Sequence, residues 1–386
     1  MRKTFTLSLG LGLLLTASLP VLGDTPLQPS LQATPVTPDS LGLDEQLWGR
    51  TGQPGDKRSL LRSIDYSLRY LGSEAAVRAY QGNLGTGITR DRVRRSLVRF
   101  RQLVVSSRSP AQLQAAVSRE FAFYKSVGKD NQGTVQFTGY FEPVYAASRK
   151  PTAEYRYPLY RVPADFESWQ KPNPTRAQLE GEDGLGTNLL RGRELVWLRD
   201  RLEAYLVQVQ GSARLQLPDG KQMSIGVAGK TNYPYASIGK ELVNDGKFPL
   251  EGLTLPVVID YFRKNPAELD RYLPRNQRFV FFQETHGAPA MGSIGVPVTA
   301  ERSIATDKSL MPPGALALIV APIPFANGVG QLESRLVNRY VLDQDTGGAI
   351  LGAGRVDIFM GTGASAGDRA GLISGTGELY YLLLKS

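Results

Sequence analysis

Residues 343–368 read DQDTGGAILGAGRVDIFMGTGASAGD, and the fold reading turns on them. Asp343, Asp345 and Asp357 stand close together, with glycines at 347, 348, 352, 354, 361 and 363. Glycine tolerates positive φ and close backbone approach, so the segment suits sharp turns and the floor of a groove. Aspartates in such segments commonly close Asx-turns, a reading open to all three. Asp357 is the unusual one, because Val356 and residues 358–360 make it a lone acid inside an apolar β-run. An unpaired buried carboxylate is costly. It either finds a partner or keeps its proton near neutral pH, and a protonated carboxyl can act as a general acid.

Working outward, apolar runs at 339–342 and 315–320 read as strands, as do 295–298, 303–307 and the closing 375–384. Short strands punctuated by Gly and Pro predict a small closed barrel for the C-terminal third. Upstream, helical spacing begins at Lys57, with Leu60, Leu61, Ile64, Leu68 and Leu71. It recurs over 91–104 behind the N-cap candidate Thr89, and again from Pro110 towards Gly128. The arginines at 92, 94, 95, 99 and 101 read as a solvated helix face. At Gly133 the period changes to two, giving a strand that stops at Pro143. A helix is expected over 194–207, followed by strands at 207–217 and 223–227 joined by the turn Pro218-Asp219-Gly220-Lys221. The apolar run 278–284 is expected to re-enter the barrel.

The chain has 386 residues, enough for two domains, a formal charge of +9 and a sequence pI near 9.6. Such a surface suits an anionic polymer such as cell-wall glycan, or a lipid headgroup layer. Zinc-finger spacing, RNP-type aromatics and basic heptads are all missing, so no nucleic acid is expected. There is one histidine, His286, and no cysteine, which removes thiol catalysis and most zinc sites. Neither metal nor cofactor is expected, and the neighbours Glu284 and His286 lack the further ligands of a metal site. Gly229-Lys230 lacks the spacing of a phosphate-binding loop. Carboxylates are the acid–base groups left in quantity.

Arg2 and Lys3 precede a Leu-rich run ending near Leu22, and Val21 and Gly23 fit the −3 and −1 positions of a cleavable leader. An uncleaved anchor is the competing reading, since the run approaches the ~18 residues that can span a bilayer. With no cysteine, a lipoprotein anchor is chemically excluded. Residues 24–56, carrying Pro26, Pro29, Pro35, Pro38 and Pro54, read as a linker or loosely packed arm.

Three separated blocks carry a family resemblance: Asp345-Thr346-Gly347-Gly348-Ala349-Ile350, Arg355-Val356-Asp357, and Ser303-Ile304-Ala305-Thr306-Asp307 followed by Pro312-Pro313-Gly314. They resemble the 3D domain, named for three aspartates, of the MltA family of membrane-bound lytic murein transglycosylases. Thr138-Gly139-Tyr140-Phe141-Glu142-Pro143 resembles the family segment that lines the substrate groove. Residues 157–163, the block around Gln210, Gly211 and Ser212, and Lys230 with Tyr235 and Ser237 are matched too. The resemblance implies a mainly β protein with N-terminal helices, a double-psi β-barrel, an inserted smaller β-rich domain, and a substrate groove between them. The implied division is leader 1–23, linker 24–56, helices and first barrel strand 57–141, inserted glycan-binding domain 142–278, and barrel 279–386. The Asp345 to Asp357 spacing is longer than usual for the family, owing to Ala353-Gly354.

The implied reaction is cleavage of the β-1,4 bond between N-acetylmuramic acid and N-acetylglucosamine in peptidoglycan, leaving a 1,6-anhydro end. Asp357 would serve as acid and then base, with Asp345 and Asp307 as supporting groups. Thr138, Tyr140, Glu142, Gln210, Gly211, Ser212, Lys230, Tyr235 and Ser237 become candidates to contact the glycan. Two alternatives stand beside this: a murein hydrolase using Asp357 with Asp345 or Glu284, and a non-catalytic wall-binding barrel. A periplasmic monomer is expected, its partner the glycan strands, with peripheral association to the outer membrane or cell-wall complexes compatible with the missing lipid anchor.

Overall fold

The computed structural model describes residues 27–29, 41–50, 53–82, 84 and 87–385. The expected leader and much of the Pro-rich arm lie outside these residues. β1 (Leu27–Pro29) is followed by the small hairpin of β2 (Gly49–Arg50) and β3 (Gln53–Pro54). Four helices come next: α1 (Lys57–Leu71), α2 (Glu74–Ala79), α3 (Arg90–Ser106) and α4 (Pro110–Glu120). Thr89 caps α3 by accepting from the Arg92 amide, and Ser109 caps α4 ahead of its N1 proline. Leu60, Ile64, Val93, Leu97 and Phe100 face inward from α1 and α3, as their spacing requires.

The expected continuation of α4 to Gly128 is wrong. The chain turns at Glu120 into β4 (Phe121–Ser126), which pairs antiparallel with the final strand β16 (Ser374–Leu384) and with β1. A run of phenylalanine and tyrosine in a ladder outweighs the weak local helix preference.

Six strands close on themselves: β5 (Val135–Glu142), β12 (Ser303–Ala305), β13 (Leu316–Ala326), β14 (Leu332–Asp345), β15 (Arg355–Thr362) and β16. Their order is β16-β13-β14-β12-β15-β5, and β5 pairs again with β16, so this is the expected barrel. The pairs β5·β15 and β12·β14 are parallel and the remaining barrel pairs antiparallel. Closure removes the free edges an open sheet would expose. The stretch 295–298, expected as strand, is instead a turn held by a single bridge between Met291 and Pro297.

Residues 41–56, read as a loose arm, are partly built into the core. Asp44 is 1 % exposed and Leu47 1 %. Arg302, fully buried, is bonded by Asp44 at 2.5 Å and by Asp56 at 2.6 Å. A guanidinium inside the barrel wall needs carboxylates, and this segment supplies them.

Between β5 and β12 the chain builds a second sheet from β6 (Val144–Ser148), β7 (Tyr157–Tyr160), β8 (Glu194–Leu198), β9 (Ser212–Gln216), β10 (Gln222–Lys230) and β11 (Val280–Glu284). Its order is β11-β10-β9-β6-β8-β7. The stretch 194–207 is not one helix. Residues 194–198 form β8, and Asp200 caps α6 (Arg201–Gln210) by accepting from the Leu202 and Glu203 amides. Leucines at 195, 198, 202 and 206 satisfy the buried face of a strand and then of a helix, which is why their spacing misleads. β11 is a second correction: it pairs with β10 and stays in this sheet. The small helix α5 (Arg176–Glu180) packs beside the sheet, α7 (Ile238–Asn244), α8 (Leu255–Lys264) and α9 (Glu268–Tyr272) gather around α6, and α10 (Ala364–Leu372) lies on the barrel. Among the described residues no helix is long and apolar enough to cross a membrane.

Candidate active site in the groove between the two sheets

β5 and β15 run parallel with Thr138 beside Asp357 and Tyr140 beside Phe359. Alternation turns Thr138, Tyr140 and Asp357 towards a groove of about 720 Å³ between barrel and second sheet. It turns Val356, Ile358 and Met360 into the barrel core. Gly139, on the other face, lets α10 lie close, since a Cβ there would stand 2.8 Å from Cα of Ala370. This explains glycine between the two groove-facing residues.

Asp357 is partly open to the groove, and its Oδ1 accepts from Oγ1 of Thr138 at 3.0 Å. Burial pushes its carboxyl up to about 6; the Thr138 bond and the nearby Arg355 pull it down, and the negative Asp345 pushes it further up. The extra residues before it are absorbed locally. Ser126 Oγ donates to the Ala353 carbonyl at 2.7 Å, and the Gln136 amide to that of Gly354 at 2.8 Å. A Cβ on Gly354 would meet the Lys129 backbone at 2.4 Å. The longer spacing therefore bulges against the β4–β5 connection and leaves Asp357 in register.

Asp345 ends β14 and also lines the groove, but its oxygens are engaged. Oδ2 accepts from Tyr140 Oη at 2.7 Å, and Oδ1 from the amides of Ser293 and Thr346, each at 2.8 Å. Burial raises its pKa, and these donors counter part of the rise. Asp307 is elsewhere: its Oδ2 accepts from the Gly352 amide at 2.8 Å and its Oδ1 from Ser309 Oγ at 2.6 Å, which ties the glycine-rich turn down. Burial opposes its ionisation, but the Ser309 and Gly352 donors and nearby Lys308 outweigh that and hold its carboxyl low. It does not line the groove. Asp343 is fully buried, bonded to Lys308 Nζ at 2.5 Å, Tyr381 Oη at 2.6 Å and Thr306 Oγ1 at 2.8 Å. Lys308 also reaches the Asp345 carbonyl.

From the second sheet, Gln210, Gly211, Ser212, Lys230, Tyr235 and Ser237 all line the groove opposite the aspartates. Gln210 Oε1 accepts from the Phe141 amide at 3.0 Å, and Ser237 caps α7. Glu142 also lines the groove, with its carboxylate engaged. It is 1 % exposed, and its Oε2 accepts from Arg214 at 2.9 Å and Thr362 at 2.8 Å, linking the two sheets. Glu284 is held by Arg149 at 2.8 and 3.1 Å, and this pairing lowers its pKa. Its neighbours Gln283 and Thr285 line the groove and Glu284 does not. No metal-binding cluster occurs among the described residues.

Sequence reasoning passed over Lys308, Ser293 and Arg278. Arg278 Nε donates to the Tyr233 carbonyl at 2.7 Å, and its guanidinium lies on Gly348. A Cβ on Gly348 would stand 2.9 Å from the guanidinium carbon and 3.0 Å from Tyr235 Cβ. The second glycine of the Thr346-Gly347-Gly348 turn is thus one place where the inserted domain touches the barrel. Nothing local in the sequence singles out Lys308, Ser293 or Arg278.

Barrel and inserted sheet thus enclose a groove with two carboxylates on its floor, Asp357 and Asp345. Residues 136–283 match the model of the MltA specific insert domain and residues 302–383 that of the 3D domain. A Vibrio cholerae protein, membrane-bound lytic murein transglycosylase A, is 34% identical over 67% of this chain and 68% of its own. The crystal structure of a membrane-bound lytic murein transglycosylase from Agrobacterium tumefaciens has a TM-score of 0.68 at 26% identity, covering 85% of this chain and 93% of that one. E. coli MltA with bound chitohexaose has a TM-score of 0.67 at 26% identity, covering 86% and 90%. The chain belongs to the MltA family of membrane-bound lytic murein transglycosylases.

Proposed function

We propose that this chain cleaves the β-1,4 bond between N-acetylmuramic acid and N-acetylglucosamine in peptidoglycan, leaving a 1,6-anhydromuramoyl end. The observation that carries this reading is Asp357, a groove-floor carboxyl pushed up to about 6 with Thr138 as its hydrogen-bond donor. Protonated, Asp357 gives its proton to the glycosidic oxygen as the C1–O bond breaks. The carboxylate left behind takes the proton of the muramoyl C6 hydroxyl, whose oxygen closes on C1. One group serves both steps because the second returns the proton spent in the first. The intramolecular nucleophile replaces the water that an ordinary two-carboxylate glycosidase must position. Asp345 and Glu284, the candidate water activators, are engaged by other donors, which weighs against hydrolysis.

Asp345 acts in this reading as the group that orients Tyr140 and the glycine-rich turn, and Asp307 as the staple of that turn. Thr138, Tyr140, Gln210, Gly211, Ser212, Lys230, Tyr235 and Ser237 are assigned to glycan contact: hydroxyls, amides and an ammonium suit sugar hydroxyl and acetamido groups. That E. coli MltA takes chitohexaose supports a glycan in this groove. The work is assigned to the periplasm on the strength of the expected leader.

The test is the pH dependence of murein solubilisation. The acid form of Asp357 predominates below about pH 6, so kcat/KM falls as pH rises through that value. Thr138 donates to the carboxylate, so Thr138→Val raises the pKa and moves this limb to higher pH by up to about one unit. A limb unmoved in Thr138→Val would assign the titrating group elsewhere. Gly348→Ala displaces Arg278 and Tyr235 from the turn, and is expected to lower the rate about tenfold without loss of far-UV circular dichroism, since a misplacement near 1 Å can cost that much or more.

A further inference from the structure

We infer that Lys230 and Arg278 form a carboxylate subsite in the groove, and that it takes the free lactyl carboxylate of a muramoyl residue carrying no peptide. The inference rests on the murein reading and narrows its substrate. Lys230 ends β10 opposite Val280 of β11, and Arg278 stands two residues before Val280. Both cations therefore leave the same end of the second sheet and line the same groove, facing the turn that carries Asp345. Arg278 is held from behind by its Nε bond to the Tyr233 carbonyl and by its seat on Gly348. A guanidinium fixed in this way presents its remaining N–H groups in a planar fork that matches a carboxylate.

Among the described residues neither Lys230 nor Arg278 is in a salt bridge. The most deeply buried arginines are paired: Arg176 with Glu180, Arg201 with Asp270, Arg302 with Asp44 and Asp56, and Arg339 with Glu301. Burial first, then the charge of Arg278, depresses the pKa of Lys230 against the opposing charge of Asp345, and burial depresses that of Arg278. Two neighbouring cations facing one groove without an ion-pair partner, Arg278 half-buried and Lys230 open to it, favour an incoming anion. Asp345 does not fill that place, since its oxygens are held by Tyr140, Ser293 and Thr346.

A polymer of N-acetylglucosamine alone is neutral. The lactyl ether supplies the acid that recurs along the murein glycan itself, and in peptide-bearing strands it is tied up as an amide. A strand with that carboxylate free is the product of hydrolysis of the lactyl–peptide amide, so a reaction of this class must supply the substrate. The subsite also separates murein from chitin-like glycans, which carry no acid.

The test uses the full chain and glycan strands freed of peptide, set beside the same strands after reduction of their lactyl carboxyls to alcohols. Reduction is expected to lower kcat/KM on the order of tenfold or more, the worth of a hydrogen bond to a charged group. In Lys230→Met the ratio between the two strands should collapse towards one. Lys230 is exposed, so this substitution leaves the core untouched. Equal cleavage of both strands by the unsubstituted chain, or an unchanged ratio in Lys230→Met, overturns the subsite and leaves the transglycosylase reading standing. Cleavage of neither strand, or release of reducing ends, overturns that reading and the subsite with it.

Discussion

Asp357→Asn is expected to lower murein cleavage by about 10³-fold or more, since in the proposed reaction one residue supplies the proton transfers of both steps and each is worth ~10²–10⁴. The same substitution should make the protein more stable at neutral pH. The folded carboxyl titrates near 6, above the ordinary 3.8. A raised carboxyl contributes stability in its protonated form, fully present below about pH 4 and lost as pH rises through 6. At pH 7.5 the wild type holds a desolvated anion in the groove floor, and asparagine removes that charge while still accepting from Thr138. The full shift would correspond to about 3 kcal/mol, and partial exposure to the groove reduces the expectation to about 1–2 kcal/mol. Thermal melts at pH 7.5 and pH 4 check the sign: the gain appears at the first and vanishes at the second. An inactive variant that is less stable at both would make Asp357 a structural residue.

Asp44→Asn is expected to destabilise the protein by about 3–5 kcal/mol, the usual cost of breaking a buried ion pair from one side. Asp44 binds Arg302 at 2.5 Å, approaches Arg339 at 3.5 Å, and accepts from the Tyr340 amide at 3.0 Å. Without its charge, two buried guanidiniums share only Asp56 and Glu301. Denaturant unfolding of wild type and variant measures the difference. A loss under about 1 kcal/mol would mean that residues 41–56 do not hold the barrel as described.

That segment also shows where sequence reading runs out. Prolines and polar residues in 24–56 look like linker, because nothing local says that Arg302, far along the chain, needs Asp44. Long-range charge pairing carries no periodic signal. The leucines of 194–207 fail for the opposite reason: a strand followed by a capped helix can bury the same positions as one helix. The aspartate–glycine stretch was legible through its family resemblance, with one local constraint beside it. A lone acid in an apolar run must be desolvated, and the structure desolvates it. What could not be read is how the two supporting aspartates differ: Asp345 lines the groove beside Asp357, while Asp307 staples a turn. Glu142 likewise lines the groove, and nothing local in the sequence shows that its carboxylate holds Arg214. Arg278 lacked any motif, and only its contact with Gly348 brings it forward.

The central claim is a cut without water, and mass spectrometry of the soluble fragments released from purified murein sacculi by the full chain tests it most directly. Fragments lighter than the hydrolytic products by one water, ending in 1,6-anhydro sugars, are the predicted result, and they should disappear with Asp357→Asn. Fragments with free reducing ends, or protein that pellets with intact sacculi and releases nothing, would contradict it.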